Sequence, residues 1–218
     1  MKRQSGLIMI EVLLSMFLIA IGVLGVASLQ AYSIRSSQSA YWRAVAADLA
    51  NDLAERVRAN RSPKLVLTGE TGAGSDESGK TVPLAPDYGR LACELSDDDK
   101  MECDWMDAYA LPAGTAGADI AKADLAEWMD LVRYTLPVGS MGGAIICRSN
   151  TTDNPINPDS APVLDPAAAD FTDKTGCLAT DAANYATAPY VIKIWWQDIR
   201  ESRGESVDAG MLLYSTTI

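Results

Sequence analysis

Histidine is absent from this sequence. Without it no Ser–His or Cys–His pair exists to activate a nucleophile. Basic residues are also scarce, with 18 Lys and Arg against 29 Asp and Glu, a formal net charge of -11. Binding DNA or RNA needs cations that displace counterions from phosphates, so a nucleic-acid partner is not expected. Cysteine occurs four times, at Cys93, Cys103, Cys147 and Cys177, and never as a pair two to four residues apart. That spacing, with no imidazole available, excludes the usual zinc sites, and no metal or other cofactor is expected. The chain also lacks a Gly-x-Ser-x-Gly turn, a phosphate-cradling Gly-Lys-Ser/Thr loop and any internal repeat.

Carboxylates are the one catalytic residue type in good supply. A membrane-anchored periplasmic enzyme using two acidic residues therefore stays open on residue type. A solvated acidic surface is the commoner use of such residues, and the chain reads as a non-enzyme. The acidic run Asp97-Asp98-Asp99 and the stretch 151–170 show neither the ligand spacing nor the closing Glu of a calcium loop, so both read as solvated loops.

What the sequence does have is an apolar N-terminus. After Met1-Lys2-Arg3-Gln4-Ser5-Gly6, residues Leu7 to Leu29 are apolar except for Glu11, Ser15, Ser28 and the glycines. The run is long enough for a bilayer core, which takes about 20 residues. Lys2 and Arg3 place the start on the cytoplasmic side of the inner membrane, with the remainder in the periplasm. Four cysteines suit that oxidising compartment, and of three possible connectivities Cys93–Cys103 and Cys147–Cys177 close the most local loops.

Glu11 decides between readings of the apolar run. A cleaved secretory signal or a plain anchor has no use for a carboxylate near its front, where an ionisable group is costly. Cleavage between Gly6 and Leu7 gives Glu11 a role. Leu7 would then carry a new terminal amine, and the Glu11 carboxylate could neutralise a neighbour's amine in a bundle of apolar helices, favouring one axial register. Gly6 leaves room for a protease to approach the backbone.

Beyond Leu29, residues 33–60 contain neither Pro nor Gly. Ile34, Tyr41, Trp42, Val45, Leu49, Leu53 and Val57 form a stripe at helical spacing. Arg56 and Arg58 suit the negative end of the helix dipole, and Pro63 ends the run. One helix from Leu7 to about Ala59, about 80 Å long, is expected. Its first half would lie in membrane or filament core and its second half would pack on a folded domain. Gly22 and Gly25 weaken the first half by about 1 kcal/mol each relative to Ala. Residues 62–89 read as a long loop. Residues 118–136 read as a helix with Asp119 as N-cap, stopped by Pro137. Strands are expected at 143–148 and 190–197, and a turn at 200–204 leads to a returning strand at 210–217. In the strand at 190–197, Tyr190, Ile192, Ile194 and Trp196 face one way. The fold class is α+β, with a long N-terminal helix packed on a small antiparallel sheet. The divisions are 1–6 as leader, 7–30 as transmembrane or filament-core helix, 31–61 as amphipathic helix and 62–218 as folded domain. Trp105, Trp128, Trp195 and Trp196 are expected to pack in or at the rim of its core.

Gly6-Leu7-Ile8-Met9-Ile10-Glu11-Val12-Leu13 resembles the class III signal of type IV prepilins, with Leu7 where that family usually has Phe. Further stretches resemble the PilV family of minor type IV pilins: Ile21-Gly22-Val23-Leu24-Gly25-Val26-Ala27, Asp52-Leu53-Ala54-Glu55-Arg56-Val57-Arg58-Ala59-Asn60, Cys103-Asp104-Trp105-Met106, Asp124-Leu125-Ala126-Glu127-Trp128, Leu136-Pro137-Val138-Gly139 and Tyr190-Val191-Ile192-Lys193-Ile194-Trp195-Trp196. The resemblance implies cleavage after Gly6 by a prepilin peptidase and N-methylation of Leu7. It implies partnership with other minor pilins and the major pilin at a pilus tip that can carry a large adhesin. Such a complex primes assembly and supports adhesion and twitching motility. A minor pseudopilin of a type II secretion system would share the signal and the layout, and the match over 54–60 favours the pilus.

Overall fold

The computed structural model describes residues 5–60, 66–67, 73–75, 81–83, 86–106, 111, 115, 117–139, 142–153, 162–199 and 209–218. Pro63 and the turn at 200–204 lie outside these residues. The chain forms two compact units, Met1–Arg43 and Ala44–Ile218.

Helix α1 runs Ser5–Ala59. In the first unit it stands without other elements. In the second unit its last four turns bury Ala46, Leu49, Ala50, Leu53, Ala54 and Val57 at spacings of three and four. The buried stripe therefore starts at Ala46. Ile34 and Tyr41, expected on it, are exposed. Small Ala residues supply half of the stripe, and a search for large apolar positions passes over them.

Helix α2, Ala118–Thr135, packs on this end of α1. Trp128 is fully buried and its Nε1 donates to Leu49 O at 2.7 Å. On the outer side Arg56 meets Asp52, Asp124 and Glu127 at 3.0, 3.5 and 3.4 Å. Asp119 is not the N-cap: it lies inside the first turn, where a carboxylate still favours the positive helix end. Gly117 caps instead, with φ 74°. Its carbonyl takes the Ala121 N–H and the Asn60 Nδ2 donor, and a Cβ there would collide with the Asn60 side chain.

The main sheet has the order β6-β7-β8, all antiparallel, with β6 at Gly143–Arg148, β7 at Tyr190–Ile199 and β8 at Ala209–Thr217. As the central strand, β7 is buried on both faces from Tyr190 to Trp196. One face sets Ile145, Cys147 and Trp195 against Phe171 and Cys177. Phe171 opens the short helix α3, Phe171–Thr175, within a stretch rich in turns. The other face carries Ile146, Ile192, Ile194 and Trp196, and α2 contacts β6. The layout is α+β: a long N-terminal helix followed by a small antiparallel domain.

Two further sheets were not anticipated, one within the loop expected at 62–89 and one a hairpin whose turn holds the acidic run, a loop as expected. Strands β1 (Val66–Leu67), β2 (Ala73–Ser75) and β3 (Thr81–Pro83) pair antiparallel within residues 62–89. They are only two or three residues long in a Gly- and Ser-rich stretch, so no alternation of apolar residues announces them. Strands β4 (Leu91–Leu95) and β5 (Met101–Trp105) form a hairpin around the acidic run. Ser96 N–H and Oγ both bond to Lys100 O, which closes the turn, and Asp99 adopts φ 59° there.

Candidate functional site

The first unit carries the most unusual surface of the molecule. Every large apolar side chain of α1 from Met9 to Leu29 is more than half exposed, between 51% at Val12 and 74% at Met9. α1 is the one helix among the described residues that is long and apolar enough to cross a membrane, and none of its apolar window is buried within the chain. Soluble monomers rarely expose contiguous apolar patches beyond a few hundred Å². This helix surface calls for an apolar medium or apolar partners.

Glu11 stands exposed near the start of that surface, between Ile10 and Val12. Gly6 and Leu7 lie in the first turns of α1, and their side chains are outside the described residues. Along α1, Leu7 and Glu11 are four residues apart, one turn on the same face. Ser15 removes its polarity locally, since Oγ donates to Val12 O at 2.8 Å. At Gly22 and Gly25 a Cβ would meet nothing within 4 Å, so the bare backbone is open to a neighbour at both positions.

The cysteines form the two local pairs favoured above. Cys93 and Cys103 face each other across the β4–β5 hairpin. Cys147 on β6 joins Cys177 just after α3, deep in the domain. Both bonds fasten elements of the domain and leave no free thiol.

Many of the domain's acidic side chains are engaged with cations. Arg133 meets Asp99 at 2.9 Å and Asp130 at 3.2 Å, and the Arg133 bond holds the Asp99 carboxyl below the usual range. Lys122 meets Asp104 at 3.2 Å. Among the described residues no cluster of three or more His, Cys, Asp or Glu is arranged to hold a metal.

Two polar groupings escaped the reading of the sequence. Asp87 accepts the Tyr190 hydroxyl at 2.7 Å and the Gly89 N–H at 3.2 Å, with Arg90 and Arg148 at 3.5 and 3.6 Å. The Arg148 guanidinium also lies 4.0 Å above the Tyr190 ring and donates to Ala188 O at 2.8 Å. Burial, followed by the Asp87 charge, drives the Tyr190 phenol well above its ordinary pKa, so it acts as a standing donor. The adjoining niche, lined by Val57, Asn60, Asp87, Arg148 and Tyr190, holds about 90 Å³, room for a few waters. The second grouping is Lys193, fully buried on β7, whose Nζ donates to Thr175 O at 2.7 Å and Asp153 O at 3.2 Å. Both groupings tie loops to the sheet. Their partners lie far apart in sequence, and nothing in the local pattern signals them.

No protein-family model matches the chain, and neither a curated protein nor a solved structure does so.

Proposed function

We propose that the chain is a minor type IV pilin, whose work is assembly rather than catalysis. In this reading residues 1–6 are a leader removed by a prepilin peptidase, and Leu7 becomes the methylated first residue. Residues 7–30 are held first in the inner membrane and then among the helices of a filament. Residues 31–61 continue that helix, and residues 62–218 form the folded domain displayed in the periplasm and on the pilus. Other minor pilins and the major pilin are its partners, at a tip that primes assembly, can bear a large adhesin and supports adhesion and twitching motility.

The observation that carries the reading is Glu11, an exposed carboxylate inside an otherwise apolar, uncovered helix surface, one turn beyond Leu7. A lone carboxylate in such a surface is costly in any apolar medium, and a neighbour's terminal amine offsets the cost. The layout of a long apolar N-terminal helix and a small disulfide-bonded antiparallel domain is compatible with a pilin-like fold.

The Glu11→Ala variant tests the pairing. It lies far in sequence from the residues of the domain core, so the domain should stay folded while incorporation into sheared filaments falls. Wild-type incorporation of the variant would refute the role of Glu11.

A further inference from the structure

Charge is divided sharply along the chain. All but one of the 29 acidic residues lie at or beyond Asp48, and Glu11 is the exception. Before Asp48 the cations are Lys2, Arg3, Arg35 and Arg43. The part that follows is thus more acidic than the chain's -11 as a whole, and the stretch 12–47 bears arginines with no acid among them. Tyr32, Arg35, Tyr41 and Arg43 are all exposed on α1, and the Tyr41 and Trp42 rings meet edge to face at 5.0 Å.

These residues begin just where the apolar run stops. Leu7 to Leu29 measures about 35 Å at 1.5 Å per residue, enough for a hydrocarbon core of about 30 Å with some tilt. Tyr32 then lies about 4–5 Å beyond Leu29 along the axis, Arg35 about 9 Å and Arg43 about 21 Å. Helical side chains lean toward the helix N-terminus, so a long side chain at position 35 has the reach to return toward the bilayer. The headgroup layer extends about 5–7 Å past the hydrocarbon on each side. Tyr32 and Arg35, three residues apart, share a helix face. An amphipathic ring and a cation at that depth suit the membrane–water boundary.

We propose that Tyr32 and Arg35 form a headgroup collar that holds the phosphate of an anionic phospholipid at the periplasmic end of the span. Arg43 stands farther out, more than a Debye length beyond the headgroups, where salt screens most of its attraction to the charged surface. The proposal rests on the membrane-spanning reading of α1.

The test uses the full chain in lipid nanodiscs of equal phosphatidylglycerol and phosphatidylcholine. Lipids retained after limited delipidation are counted by mass spectrometry for wild type, Arg35→Gln, Arg35→Lys and Arg43→Gln. Lys2 and Arg3 act equally in every variant. Wild type should retain about fivefold more phosphatidylglycerol relative to phosphatidylcholine than Arg35→Gln, the effect of one interfacial cation above the background that Lys2 and Arg3 give every variant. Arg35→Gln should abolish most of that enrichment, Arg35→Lys should keep it, and Arg43→Gln should lower it only slightly. Equal enrichment in wild type and Arg35→Gln, or an equal loss in Arg43→Gln, overturns the collar while leaving the span intact. Release of the chain from membranes by alkaline carbonate overturns the spanning reading and the collar with it.

Discussion

Replacing Lys193 by Met should change how the domain's stability depends on pH. Nζ is enclosed, with Thr175 O and Asp153 O as its hydrogen-bond acceptors. Burial pushes the Lys193 pKa down from 10.5 to about 8, although the Asp153 charge pulls the other way. Below about pH 8 both the folded and unfolded chains hold the proton, and the folded chain bears the full cost of an enclosed ammonium. Between about pH 8 and 10.5 the unfolded chain keeps its proton while the folded chain sheds it, so the Lys193 contribution rises with pH. At 1.36 kcal/mol per pH unit, that window is worth on the order of 3 kcal/mol. Met keeps the aliphatic stem of Lys, one atom shorter and without a titrating group, but it withdraws a donor from two carbonyls, at about 1–3 kcal/mol for each acceptor left bare. Near pH 7 these losses oppose the relief of removing a buried charge, and Lys193→Met should lie within about 2 kcal/mol of wild type. By about pH 10 wild type should have gained on the variant by on the order of 3 kcal/mol. Urea unfolding in detergent micelles, followed by tryptophan fluorescence from pH 7 to 10, measures this difference. The high phenol pKa values of Tyr185 and Tyr190 affect both proteins alike and cancel. A difference that stays flat across the range would refute the buried-ammonium argument.

Trp128→Phe should destabilise the domain by about 2–3 kcal/mol, through the lost bond to Leu49 O and the space left by the indole, as read by urea unfolding. A cost under about 0.5 kcal/mol would contradict the packing of α2 on α1. Loop-closure entropy ranks the disulfides: Cys147→Ala/Cys177→Ala, with a separation of 30 residues, should cost about 3–4 kcal/mol. Cys93→Ala/Cys103→Ala, with a separation of 10, should cost about 2–3 kcal/mol, and a reversed order in thermal unfolding would overturn that account.

The elements that announced themselves in the sequence were those with one exposed face or a sustained period. α2 shows its 3.6-residue stripe through Leu125, Trp128 and Val132, and β7 shows an apolar run bounded by turn residues. The N-terminal run was legible because its apolar residues form one long stretch, none of it buried among the described residues. The hairpin β4–β5 was passed over although Met101, Cys103 and Trp105 alternate with Glu102 and Asp104, because that run is only five residues long and β4 beside it does not alternate. Asp119 looked like a cap because side-chain caps are the common solution, whereas here Gly117 stands at the N-cap with no side-chain cap bond, and Asn60 donates to its carbonyl. Lys193 and the Asp87 grouping were illegible for a related reason. An enclosed polar group is recognised by its partners, and these lie far off in sequence: Tyr190 of β7 is 103 residues from Asp87, and Asp153 is 40 from Lys193. Gly6, Leu7 and Glu11 rest on the motif and on the exposed helix around them.

The central claim is that the apolar helix is a processed assembly segment. Intact mass and N-terminal sequencing of the protein taken from membranes, with and without a prepilin peptidase, test it most directly. The account predicts a chain that starts at Leu7 and carries one added methyl group when the peptidase is present, and an uncut chain when it is absent. A chain uncut in both, or cut at the far end of the apolar run as a secretory signal would be, would contradict it.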